Sequence, residues 1–193
     1  MRPSIGQGCG MRFALSDSLP ILQRTPSVVR AMLQFLPEAW THRDYGVNAD
    51  GSPTWSAHEI VAHLIFGEQT DWMPRARHIL EFGETRPIPP FDRAGHRALM
   101  QGKTLRTLLD EFDQARRDSL AALAKLSLSE VDLAKCGTHP KLGRVTLSQL
   151  LATWVVHDLN HLAQINKAMA YQYKGEVGGW EAYLSILRPP EPR

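Results

Sequence analysis

A chain of 193 residues with 43% hydrophobic and 22% charged side chains has the make-up of one soluble globular domain with a core of its own. Its 22 basic and 20 acidic groups are spread along the chain for a net charge of +2, which argues against a polybasic nucleic-acid arm and against an acidic tail. No run reaches the roughly 20 apolar residues that cross a bilayer, so neither nucleic acid nor membrane is expected as a partner.

The N-terminal residues, with Arg2, Gly6, Gly8, Gly10 and Arg12, lack the apolar stretch of a secretory signal, and Met11 offers an alternative start. Two cysteines, Cys9 and Cys136, do not make a disulfide framework and suit a reducing cytoplasm. Residues 1–15 read as a flexible tail, 16–188 as a single helical domain and 189–193 as a second tail.

Helical periodicity dominates from there on, and no stretch shows sustained period-two alternation. Thr25-Pro26 reads as an N-cap with proline at the first helical position, followed by Val28, Val29, Met32, Leu33 and Leu36, with at most an extra turn over 16–24. Turn formers between Thr41 and Thr54 predict a loop. Ser56 and Glu59 then form a capping box opening a helix that a kink or break at Pro74 interrupts before Phe82-Gly83 ends it.

Arg86 to Asp92 reads as an extended connection. Thr104 opens a helix whose Leu105, Leu108, Leu109, Phe112, Ala115, Leu120 and Leu123 make one buried stripe, leaving Asp110, Asp113, Arg116 and Arg117 to face water. Residues 127–145 form a long excursion with a short β-like turn. A second capping box, Thr146 with Gln149, opens the last long helix, which runs to about Tyr173 before Gly175, and Gly178–Leu187 form a short final helix. The sum is an all-α four-helix bundle with a short extra C-terminal helix, a fold whose core is a usual place for metals held by facing helices.

Chemistry concentrates on two of these helices. His157 and His161 stand four residues apart, within roughly 40° of one face and about one turn along the axis, so both imidazoles can reach one ion. Trp154, Gln164 and Ala168 continue that face, whereas Asp158 and Asn160 turn toward solvent. On the earlier helix His63, between Ile60 and Gly67, faces the core, and His58 lies about 140° around from it. Three imidazoles without a fourth protein ligand leave a coordination position open, as catalytic zinc sites do. On packing alone, the same histidines are core residues hydrogen-bonded to backbone or to Gln164.

The stretch Trp55-Ser-Ala-His-Glu-Ile-Val-Ala-His-Leu-Ile-Phe-Gly-Glu, with Trp72 and Arg75 following, resembles the first signature of the DinB/YfiT-like family. Leu147-Ser-Gln-Leu-Leu-Ala-Thr-Trp-Val-Val-His-Asp-Leu-Asn-His-Leu-Ala-Gln-Ile resembles its second, in a likeness of helix order running over roughly residues 25 to 173. The resemblance implies a bacterial four-helix bundle, often a homodimer, that binds a divalent metal ion such as zinc or nickel through His63, His157 and His161. It further implies a metal-dependent S-transferase using a low-molecular-weight thiol cosubstrate on a small-molecule substrate. The competing expectation is a non-catalytic metal-binding stress-response module.

Several neighbours carry secondary expectations. Glu59, one turn before His63, is a cap first and an acceptor for a ligand imidazole second; Gln164, one turn after His161, is placed for a ligand or for packing. Gly67 clears space beside an ion, Trp154 and Trp72 wall a pocket or the core, and Arg75, Arg77 and Arg144 are candidates for holding a substrate carboxylate. Cys136 and His139 have a Cys-x-x-His spacing but no partner pair, which falls short of a zinc site.

Overall fold

The computed structural model describes residues 11–48 and 51–188, so residues 1–10 of the tail expected over 1–15, and the whole tail expected over 189–193, lie outside the described residues, Cys9 with them. Four long helical segments make the bundle: α1 (Leu15–Leu33), the pair α3 (Ala57–Thr70) and α4 (Trp72–Phe82), α6 (Leu105–Lys125) and α8 (Leu147–Tyr171). Short helices α2 (Glu38–Thr41), α5 (Gly95–Met100) and α7 (Glu130–Leu133) lie in the connections. The excursion before α8 carries an antiparallel hairpin of β1 (Cys136–His139) and β2 (Gly143–Thr146), and the final segment is two 3₁₀ turns, Gly178–Tyr183 and Ser185–Leu187.

The helix starts follow the expected caps. Ser56, Thr104 and Thr146 each accept from the backbone N–H three residues on, and Thr146 with Gln149 completes its box. The box at Ser56 is only half made, because the Glu59 carboxylate turns away from the cap to His96 and Arg97. The break in the second segment falls at Asp71, three residues before the expected Pro74. Pro74 then sits in the first turn of α4, where an N–H has no helical partner to lose.

The first helix corrects the expected start at Thr25, since α1 is continuous from Leu15 through Pro20 and Pro26. A proline inside a helix leaves the carbonyl four residues earlier without its donor. For Pro26 that carbonyl is Leu22, and Arg116 Nη1 donates to it at 2.7 Å.

Two apolar clusters fill the bundle. Val29, Ile60, Ile65, Phe112 and Ile165 belong to one, and Leu22, Trp72, Ile79, Leu123 and Trp154 to the other. On every long segment a buried polar residue stands between them in sequence: Thr25, Glu68, Arg116 and Asp158. α1 and α8 meet the second cluster first, whereas the α3/α4 pair and α6 meet it last. The bundle therefore runs up, down, down, up, and the crossover that lets α3/α4 and α6 point the same way passes through α5. Gly95 makes that crossover fit, because a Cβ there would stand 2.3 Å from the Phe66 ring.

The polar layer overturns two expectations. Arg116, expected in water, is 1% exposed, and Asp158, expected as a solvated carboxylate, is 0% exposed. Arg116 Nη1 and Nη2 reach Asp158 Oδ2 and Oδ1 at 2.6 and 3.0 Å, while Nε and Nη2 reach Glu68 Oε1 at 3.0 and 2.7 Å. Trp154 Nε1 donates to the same Glu68 oxygen at 3.0 Å. Asp158 falls on the buried seam of α8, Leu147, Leu151, Trp154, Asp158, His161, Ile165 and Ala168, whose alternating steps of four and three follow a heptad. The charges are tolerated inside because each is paired and hydrogen-bonded across helices.

Candidate metal centre

His63 projects from α3 and His157 and His161 from α8 to one point beside the polar layer. His157 Nε2 lies 3.1 Å from His63 Nε2 and 3.0 Å from His161 Nε2, and one ligand nitrogen from each ring falls within 4.8 Å of the others. Two nitrogens bound to a single tetrahedral zinc at about 2.0–2.1 Å would be separated by about 3.3 Å. The spacing therefore matches donors to a common ion. His63 and His161 are each 6% exposed, and His157 stands half-buried at the edge.

Protonation supports the same use. Burial, then the neighbouring His161 and His96, push His63 down to about 3; burial, then His161 and His63, push His157 down to about 2; and burial also lowers His161. All three rings are neutral at physiological pH, as metal ligands must be.

The tautomers matter next. Gln164 Oε1 lies 2.8 Å from His161 Nδ1, and since that oxygen only accepts, Nδ1 carries the hydrogen and Nε2 of His161 presents its lone pair to the cluster. His157 Nε2 bears either one hydrogen or one lone pair, so it cannot make a full hydrogen bond to both neighbours. A cation among the three nitrogens removes that conflict. The Nδ1 atoms of His63 and His157 are buried without a hydrogen-bond partner.

The surroundings are aromatic. Trp55 packs 4.8 Å from the His63 ring, and Trp72 meets His157 edge-on at 5.0 Å while stacking on Trp154 at 5.8 Å. Trp154 is core and polar-layer scaffold; a cavity of about 580 Å³ lies beside His157, and Trp72 is the tryptophan that lines it. Gly67 lines it too, and a Cβ there would stand 3.3 Å from Trp72 Nε1.

Other candidate positions fall outside the cluster or take different partners. His58 Nε2 pairs with the Lys103 carbonyl at 3.1 Å, and its ring stacks on His42, which leaves it outside the cluster. Arg75 lines the cavity as an ion pair with Asp71. Arg77 is exposed, and Arg144 pairs with Glu84 at the surface. Cys136 Sγ contacts the Ala134 carbonyl, and His139 Nδ1 accepts from backbone, so the two do not form a metal pair.

Glu59 does not touch a cluster histidine. Its carboxyl is held below the usual range by His96 and Arg97 although burial opposes this, with His96 Nε2 at 3.1 Å from Oε1. His96 itself is 1% exposed, with its ring 5.5 Å from that of His63. Sequence reasoning missed it, because α5 is six residues long and too short to show a period.

The arrangement defines a class: a helical bundle with three convergent imidazoles from two helices, one of which, His157, lines a cavity. The chain belongs to the DinB superfamily, whose model matches residues 21–165. Among solved structures it is similar to YfiT from Bacillus subtilis, described as a probable metal-dependent hydrolase with an unusual four-helix bundle topology. That match has a TM-score of 0.63 and 17% identity and covers 87% of this chain and 94% of that one. A comparison with proteins of curated function found no match.

Proposed function

We propose that His63, His157 and His161 hold a divalent ion, zinc or nickel, and that the chain is a metal-dependent enzyme acting on a small molecule. One observation carries this reading: three neutral imidazoles aim their Nε2 atoms at one point, and His157 places that point at the wall of a cavity of about 580 Å³. Pockets of that size suit small organic ligands. Three protein ligands leave a coordination position for the reacting group, and an ion so held supplies Lewis acidity toward a nucleophile beside it.

The chain's own residues supply the rest. Gln164 fixes the His161 tautomer, Trp55 and Trp72 exclude water from two sides of the cluster, and the layer of Arg116, Glu68 and Asp158 fixes the rotation of α8. The finer reading is transfer of a low-molecular-weight thiol to a small electrophile in the cytoplasm. Hydrolysis is the second reading, favoured by the description of the structural relative.

Metal analysis of protein purified without an affinity tag, beside His157→Ala, tests the centre. About one ion per wild-type chain and none in the variant is expected; no ion in either removes the reading. A screen of the metal-loaded protein with cellular thiols and electrophiles, run in parallel with ester and amide substrates, then separates the reactions. Turnover lost in His63→Ala identifies an enzyme, and metal binding without turnover in either arm favours a non-catalytic module.

A further inference from the structure

The cavity beside His157 is asymmetric in chemistry. Trp72, Ile88, Phe91, Val145 and Leu150 give it an apolar body. Its wall also carries Arg75, Arg93 and Lys141 against the single carboxylate of Asp71, an excess of positive charge in a partly enclosed space. Among the described residues Arg75 is the one of the three cations paired within the cavity, with Nε 2.5 Å from Asp71 Oδ1. Arg93 and Lys141 are exposed at the rim.

His139, at the end of β1, adds a neutral donor to that wall. Its Nδ1 accepts from the backbone N–H groups of Lys141 and Leu142 at 3.2 Å each, so in the neutral ring the hydrogen is on Nε2. Arg75 of α4 and Lys141 of the hairpin tip line the same cavity as His139, and burial, then these two cations, lower its pKa. Charge from α4, from the hairpin tip and from the loop before α5 thus borders one cavity, which His157 of the triad also lines.

We propose that this cavity binds an organic anion of the carboxylate type, with its charge at the Arg93, Lys141, Arg75 and His139 wall and its apolar body on Trp72 and Phe91 toward His157. The proposal rests on the metal-centre reading for what happens to the bound anion but not for its binding. A neutral molecule of the same shape fills the apolar body without using the wall, and a cation is repelled by it.

The test uses two fluorescent probes that differ by one group: 8-anilinonaphthalene-1-sulfonate and its uncharged parent N-phenyl-1-naphthylamine. Both are titrated into the full chain in chelator at low salt. The anionic probe is expected to bind about tenfold or more tighter, with the preference shrinking as salt is raised. 3-Phenylpropanoate is expected to displace it where 3-phenylpropanol does not. In Arg93→Glu/Lys141→Glu, two rim changes outside the core, the preference is expected to vanish while circular dichroism and metal uptake match wild type.

Equal affinity for the two probes, or a preference that survives the double substitution, overturns the proposal. Because every titration is done without metal, a wild-type chain that takes up no ion yet prefers the anion defeats the metal reading alone. A chain that binds metal with no anion preference defeats this one alone.

Discussion

The Leu22 carbonyl and the Arg116 guanidinium are joined at 2.7 Å because Pro26 offers that carbonyl no N–H. The same guanidinium also holds Glu68 and Asp158, so one side chain ties α1, α3, α6 and α8 at a single level of the bundle. Removing it leaves two buried carboxylates without their cation and the Leu22 carbonyl without a donor. Arg116→Ala is expected to lower stability by about 3–5 kcal/mol in urea unfolding. The triple change Arg116→Met/Glu68→Leu/Asp158→Leu is expected to recover most of that loss, since apolar packing often replaces a buried ion cluster without cost. A loss near zero in the single variant would mean that the layer is hydrated rather than sealed.

Gln164 touches His161 on the side away from the cluster, so its effect on metal should exceed its effect on folding. Gln164→Ala is expected to weaken metal binding about 10- to 100-fold in a competition titration. Gln164→Glu, which keeps an acceptor at the same reach, is expected to restore it. An unchanged affinity in both variants would show that the His161 ring is oriented by packing alone.

Metal should also appear in stability. An ion that binds only the folded chain adds about 2.7 kcal/mol when present at a hundred times its dissociation constant. Calorimetry should therefore show the melting temperature rising with zinc or nickel and staying flat in His161→Ala.

The metal-free protein should be acid-sensitive in a particular window. The folded-state pKa values of His63 and His157 are depressed to about 3 and about 2, each by burial first. Free histidine titrates at about 6.5. Below that value the unfolded chain takes up protons that the folded chain refuses, so stability is complete above about pH 6.5 and falls as the pH drops toward 3. Urea midpoints measured in chelator between pH 7.5 and 4.5 should fall, and the slope should be shallower in His63→Gln/His157→Gln. A slope unchanged by the double substitution would place the acid sensitivity elsewhere, with His161 and His58, which burial also lowers, next to be tested.

The three histidines were legible because their signals are local: an i, i+4 pair on a capped helix, and a third imidazole on another capped helix. Arg116 and Asp158 were not, although both occupy seam positions of their helices. A charge reads as surface when each helix is taken alone, and only the pairing of α6 with α8 makes two charges cheaper inside than either would be. Pro26 misled in the same way, marking a start within a helix that tertiary contacts carry past it. His96 had no period to announce it.

Thr146 is both the last residue of β2 and the cap that starts α8. The hairpin and the helix that bears His157 and His161 are therefore one continuous piece, anchored where Leu147 N–H meets the Lys135 carbonyl. Insertions or exchanges at the tip, Pro140 to Leu142, lie beyond that anchor and line only the cavity. A lineage could redraw the shape of what enters by altering three residues there, while the imidazoles stay where they are.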